Sequence, residues 1–190
     1  NNPGLGAVCA RTHVMPQEKL GLFETIWLRL QRLEYATADS RRVERLGDIQ
    51  ILAGSCVVYR WSALRQVAEV RGNGEYYDEG SLIEDYEITL ALKQLGWKVT
   101  LCTKAHSWTR VPTSMKVHWQ QRIRWARSHV DTLRGLGWNE TTRRDILEHV
   151  GFIMLLLQQV FFLGLLCYLL LTGTAVEWNP LFCLPLWFVP

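Results

Sequence analysis

From Val150 to Leu171 the chain reads VGFIMLLLQQVFFLGLLCYLLL, 22 residues without a charged side chain. As an α-helix this run spans roughly 33 Å, against a bilayer hydrocarbon core of about 30 Å. It predicts a transmembrane helix and so constrains the rest of the chain, because what precedes it must fold as a separate water-facing body. A buried core helix is the alternative reading, although such runs are usually about 10–14 residues long. Gln158 and Gln159, at its centre, need hydrogen-bonding partners and are expected to face a neighbouring helix, a polar channel or another protein surface. Arg143 and Arg144 flank the run on its N-terminal side and Glu177 is the only charge after it, an asymmetry that places residues 1–149 in the cytoplasm. Trp178 to Pro190 is apolar again and reads as the start of a second membrane segment, with no signal peptide ahead of these elements.

The whole chain has 190 residues, enough for one domain with a real core but short for an enzyme that needs both a donor and an acceptor site. A formal charge of +3, with basic residues gathered at Arg41-Arg42, Arg122 to Arg127 and Arg143-Arg144, argues against a nucleic-acid surface. Cys9, Cys56, Cys102, Cys167 and Cys183 show no CxxC spacing, so neither a zinc knuckle nor a disulfide framework is encoded. They read as small buried residues in a reducing compartment.

The water-facing part has a mixed α/β pattern. Gly6 to Ala10 suits a strand, and Lys19 to Ala36 carries apolar residues at helical spacing through Leu22, Ile26, Leu30 and Leu33. A polar, arginine-rich loop is expected next. Gln50 to Tyr59 has apolar and β-branched residues around Ala53-Gly54-Ser55, Trp61 to Leu64 begins a short helix, and Gly72-Asn73-Gly74 marks a turn. Glu84 to Leu95 reads as a helix ended at Gly96, with Glu84, Asp85 and Glu87 in the first turn, where the helix dipole favours negative charge. Trp97 to Cys102 alternates like a strand.

Met115, Trp119, Ile123, Ala126, Val130 and Leu133 recur at helical spacing and form one apolar stripe, read as the packing face. Gln121, Trp125 and Ser128 share a different side, with Arg124 close by. An indole stacks on the apolar face of a sugar ring, amide and guanidinium groups bind its hydroxyls, and an arginine clamps a diphosphate. The alternative is an amphipathic interfacial helix whose tryptophans and arginines sit at lipid headgroups.

Three blocks now resemble the family 2 glycosyltransferases of the GT-A fold, the group of cellulose, hyaluronan and chitin synthases. Gln121-Arg122-Ile123-Arg124-Trp125 matches the family's Gln-x-x-Arg-Trp motif, Glu84-Asp85 its Glu-Asp motif, and Ala53-Gly54-Ser55 is similar to the small segment lining its acceptor site. Their order and spacing agree with the family layout. The resemblance implies that Asp85 is the catalytic base in an inverting displacement on a nucleotide sugar and that Glu84 orients it. It implies further that Gly54, Ser55, Gln121 and Trp125 bind a saccharide or lipid-linked acceptor, and that Arg122 and Arg124 stabilise the departing diphosphate. For Glu84 and Asp85 the plainer reading is a helix-capping acidic pair, and for Gly54-Ser55 a strand bulge.

The family holds a divalent metal, Mg or Mn, through an Asp-x-Asp that this sequence lacks. In the family that motif and the nucleotide-binding βαβ half lie upstream of the segment matching Asn1. The resemblance thus implies the acceptor-side half of a GT-A domain over 1–113, a Gln-x-x-Arg-Trp helix and interfacial segment over 114–149, a transmembrane helix over 150–171 and a loop leading to a second membrane segment over 172–190. The complementary donor half would be another chain or domain. Ile83 stands where many polysaccharide synthases have threonine. A membrane-anchored, non-catalytic docking or scaffolding subunit is the other reading that the same face allows.

Overall fold

A computed structural model of the chain describes residues 2–172. The expected second membrane segment, Glu177 and Cys183 lie outside the described residues. The chain divides into two compact units between Thr142 and Arg143, and the mixed α/β expectation holds for the first.

Strand β1 (Leu5–Val14) is the centre of a three-stranded sheet with order β2-β1-β3. β2 (Val57–Tyr59) runs antiparallel to it and β3 (Lys98–Thr109) parallel. Both edges of β1 are therefore paired, and its sequence is nearly continuously apolar over Gly6 to Ala10, as a strand covered on both faces requires. Gly6 is obligatory for packing, since a Cβ there would stand 2.7 Å from Cβ of Trp97. The sequence expectation stopped both strands short: β1 runs on to Val14 and β3 to Thr109, through a register break after Ala10 and Cys102 that resumes at Arg11 opposite His106.

Helix α2 (Trp61–Arg71) ends on Gly72, whose φ of 75° is a left-handed cap that favours glycine. Helix α3 (Glu84–Gln94) follows and is buried around most of its circumference, with Tyr86, Ile88, Thr89, Leu90 and Leu92 all fully buried. Ile88 and Leu92 join Cys9, Val67, Val99 and Leu101 in the main core, which also takes in Ile49 and Leu52 from the segment before β2. That segment is thereby pinned against α3.

Helix α1 (Leu22–Glu44) opens with the Gly21 N–H donating to Glu24 Oε2 at 2.9 Å. It continues through Arg41-Arg42, where a loop was expected from the polar composition. The helix persists because Asp39, 2% exposed, accepts from Arg11 Nε on β1 at 2.8 Å and from Arg42 Nη1 at 3.3 Å. A buried carboxylate with two guanidinium partners ties this polar stretch to the sheet. The apolar stripe of α1 is not its packing face: Leu22, Ile26, Leu30 and Leu33 are exposed, and Leu28, Gln31 and Asp39 are buried.

Helix α4 (Met115–Leu136) repeats that inversion. Of the residues read from the sequence as the packing stripe, Met115, Trp119, Ile123, Ala126 and Val130 are exposed and only Leu133 is buried, while Ser128 on another side is buried. Apolar periodicity marks a face that avoids water without saying what covers it.

In the second unit helix α5 (Arg143–Thr172) contains the charge-free run. Among the described residues it is the one helix long and apolar enough to cross a membrane, over Arg143–Tyr168, its most apolar window having a mean hydropathy of 2.3 and no part of that window buried.

Candidate active site

The first turn of α3 places Asp85, and one hydroxyl fixes what stands opposite. Thr89, fully buried a turn later, donates its hydroxyl to the Asp85 carbonyl and accepts the Leu52 N–H at 3.0 Å. The chain leaving Leu52 is thereby delivered to the start of α3, where the Gly54 N–H donates to Asp85 Oδ2 at 3.2 Å. Asp85 Oδ1 is buried with no hydrogen-bond partner. Burial pushes the Asp85 carboxyl above its ordinary value of 3.8; the Gly54 N–H opposes that shift and the neighbouring Glu84 charge adds to it. A carboxylate with one anchored and one unpartnered oxygen has a raised affinity for a proton.

Asp85 lies on the wall of a cleft of about 500 Å³ that also receives Gly54, Ser55, Gln121, Arg122 and Trp125. Six of the eight residues singled out in the sequence thus converge from three separate segments. Glu84 and Arg124 do not line the cleft; both are exposed. Glu84 reaches Asp85 through its charge, not through a contact in the cleft.

Ser55 is held in a chain of hydroxyls, its Oγ 2.9 Å from Thr12 Oγ1 on β1 and 2.9 Å from Ser107 Oγ on β3. Across the cleft, the guanidinium of Arg122 sits 4.5 Å from the Trp125 ring centroid. Two of its nitrogens lie 2.6 and 2.7 Å from the Glu34 carboxylate, a bidentate pairing that fixes its plane. Its Nε donates to His118 Nε2 at 3.3 Å, while His118 Nδ1 is 3.1 Å from Gln31 Oε1. This bonding needs a neutral imidazole, in keeping with burial and then the Arg122 charge lowering the His118 pKa below 6.5.

The cleft also contains residues that the sequence reading did not select, among them Thr12, Tyr35, Arg42, Arg110 and His129. Glu34, Tyr35, Ala38 and Arg42 line it at helical spacing along α1, a pattern available to a reading that had carried that helix past Ala36. Arg42 is positioned from behind by Asp39. Burial raises the Tyr35 phenol above 10, with the Arg122 charge opposing. Among the described residues no three His, Cys, Asp or Glu side chains gather to hold a metal ion. The divalent cation implied by the resemblance has no ligand set among the described residues.

A family profile described as Glycosyl transferase family group 2 matches residues 12–190. The chain is 23% identical over 171 residues to a poly-beta-1,6-N-acetyl-D-glucosamine synthase of Staphylococcus epidermidis, covering 88% of this chain and 38% of that protein. It is 29% identical over 189 residues to an N-acetylglucosaminyltransferase of Rhizobium leguminosarum bv. viciae, covering 94% and 42%. An N-acetylglucosaminyltransferase of Mesorhizobium japonicum is 32% identical over 169 residues, covering 82% and 38%. The chain therefore spans 38% to 42% of the length of these curated relatives.

Proposed function

Because the chain belongs to glycosyl transferase family group 2, we propose that it forms the acceptor-side half of a GT-A sugar transferase acting at the cytoplasmic face of a membrane. In this reading Asp85 is the general base for inverting transfer from a nucleotide sugar to a saccharide or lipid-linked acceptor. The observation that carries it is the Asp85 carboxylate on the cleft wall, anchored through Gly54 and with its other oxygen buried and unpartnered.

The chemistry follows from that placement. Asp85 accepts the proton of an acceptor hydroxyl as the hydroxyl oxygen bonds to the anomeric carbon. The bond from that carbon to the diphosphate oxygen breaks on the opposite face, and the configuration inverts. The raised proton affinity of Asp85 brings the base closer to the pH at which it works. Trp125 offers a stacking surface for the acceptor ring, Gln121 and Ser55 offer hydrogen bonds, and Arg122 provides positive charge inside the cleft. Arg124 is assigned to the diphosphate only as part of a complete site, since it lies outside the cleft lining. The donor and metal sites belong to the part of the relatives' length that this chain does not span, and α5 supplies the membrane anchor. The names of the relatives make a nucleotide-activated N-acetylglucosamine the first donor to assay.

The test restores this chain to a donor half and follows transfer, with the product's anomeric configuration read by proton NMR. Transfer that requires both halves and inverts the configuration is expected. Retention, or full transfer by the donor half alone, would overturn the assignment.

A further inference from the structure

We propose that Arg110 is a specificity residue of the acceptor cleft, and that it selects an acceptor sugar carrying a negative charge, as a phosphate or a carboxylate, in addition to the hydroxyl presented to Asp85. The inference rests on the acceptor-side reading above and narrows its substrate from a saccharide to an anionic one.

Pairing within the cleft isolates this one guanidinium. Arg42, Arg110 and Arg122 all line it. Arg122 is engaged by both oxygens of Glu34, and Arg42, 16% exposed, is held by Asp39 at 3.3 Å. Arg110 is exposed, and among the described residues neither a carboxylate nor a hydrogen bond engages its side chain. The two carboxylates on the cleft wall are committed elsewhere, Glu34 to Arg122 and Asp85 to the Gly54 N–H. A guanidinium left over in such a cleft offers a planar fork to the paired oxygens of a carboxylate or phosphate.

The backbone that carries Arg110 is fixed on both sides. The Met15 N–H donates to the Thr109 carbonyl at 2.8 Å, Gln17 Nε2 to the Val111 carbonyl at 3.1 Å and Gln31 Nε2 to the Pro112 carbonyl at 2.8 Å. Val111 itself is buried with Val14 and Leu28. The side chain therefore starts from a rigid point at the end of β3, which lowers the ordering cost of gripping a ligand.

The serine and threonine hydroxyls of the cleft do not compete for that anion. Ser107 Oγ donates to the Arg11 carbonyl at 3.2 Å, so it accepts from Ser55, and Ser55 in turn accepts from Thr12. Thr109 Oγ1 donates to the Arg110 carbonyl at 3.4 Å. Their protons are spent inside the protein, and what Thr12 and Ser55 present to the cleft is lone pairs. Lone pairs repel an anion and receive the hydroxyls of a sugar. Thr12 and Ser55 thus favour a polyol, Trp125 a ring face and Arg110 a negative charge, requirements that a sugar phosphate or a sugar acid meets together.

The test titrates the full chain in detergent micelles with methyl glucoside, glucuronic acid and glucose 6-phosphate, and separately with uridine diphosphate as the probe of donor binding. Both anionic sugars are expected to bind about 10- to 100-fold more tightly than methyl glucoside, the range of a charge-assisted pair. A preference confined to one of them names that group as the acceptor's. Arg110→Gln should abolish the preference and leave methyl glucoside and uridine diphosphate unchanged, whereas Arg110→Lys, which keeps the charge and loses the fork, should retain part of it. Equal affinity for all three sugars in the wild-type chain, or a preference that survives Arg110→Gln, would overturn the proposal. A loss confined to uridine diphosphate would overturn it too and assign Arg110 to the donor. Trp125→Ala should weaken all three sugars alike; sugar binding that ignores Trp125 would remove the acceptor reading itself.

Discussion

Replacing Asp85 by Asn should make the fold more stable while it removes the proposed base, because the carboxylate is held where its charge is disfavoured. The folded-state pKa of Asp85 is raised above its ordinary value of 3.8. The stability supplied by its protonated form is fully present below pH 3.8 and is lost as pH rises through the folded pKa. Above that window the ionised group carries a constant penalty. An unsatisfied buried polar atom costs about 1–3 kcal/mol, and the lower end applies here because Gly54 still serves Oδ2. Asn keeps the shape and removes the charge. At neutral pH Asp85→Asn should therefore gain about 1 kcal/mol, a rise of roughly 2–4 °C in Tm for a chain of this size, and the gain should vanish as the pH falls below 3.8. Near-UV circular dichroism melts of the detergent-solubilised wild-type and variant chains across pH measure it. A variant less stable than wild type at neutral pH, or a gain independent of pH, would refute the account of the Asp85 environment.

Two other substitutions examine neighbouring parts of the account. Asp39→Ala leaves Arg11 and Arg42 without their shared carboxylate; removing one partner of a buried pair costs about 3–5 kcal/mol, and the 35% exposure of Arg11 lowers the expectation to about 2–3 kcal/mol. Chemical denaturation checks it, and a loss under about 1 kcal/mol would show that this network does not hold α1 to the sheet. Gly54→Ala places a Cβ 3.3 Å from Asp85 Oδ2, so the carboxylate must shift and its bond to the Gly54 N–H weaken. That bond lowers the Asp85 pKa, so the acid limb of the complete enzyme's pH–rate profile should move to higher pH. An unchanged acid limb would contradict the link between Gly54 and the base.

The elements with strong internal periodicity were readable from the sequence. Helix α3 begins at Glu84 and stops before Gly96 as its acidic first turn and following glycine indicate, and the uncharged run lies within α5. The end of α1 was not readable, because what keeps Thr37 to Glu44 helical is Asp39 bonding to Arg11, 28 residues away. Strand β3 beyond Cys102 was hidden by a register break. Most of the stripe read as the packing face of α4 is exposed, as are the regularly spaced apolar residues of α1, because apolar periodicity marks a face that avoids water without saying what covers it. The motif residues Asp85, Gly54 and Trp125 line one cleft together with Arg42 and Arg110, which the sequence did not single out because nothing local brings them there.

In the proposed mechanism Asp85 takes the acceptor's proton. The direct measurement is single-turnover sugar transfer by the complete enzyme, wild type against Asp85→Asn, with donor binding measured in parallel. A general base contributes about 10²- to 10⁴-fold, so the variant's transfer rate should fall by that factor while nucleotide-sugar affinity holds. A variant that transfers sugar at the wild-type rate would contradict the claim.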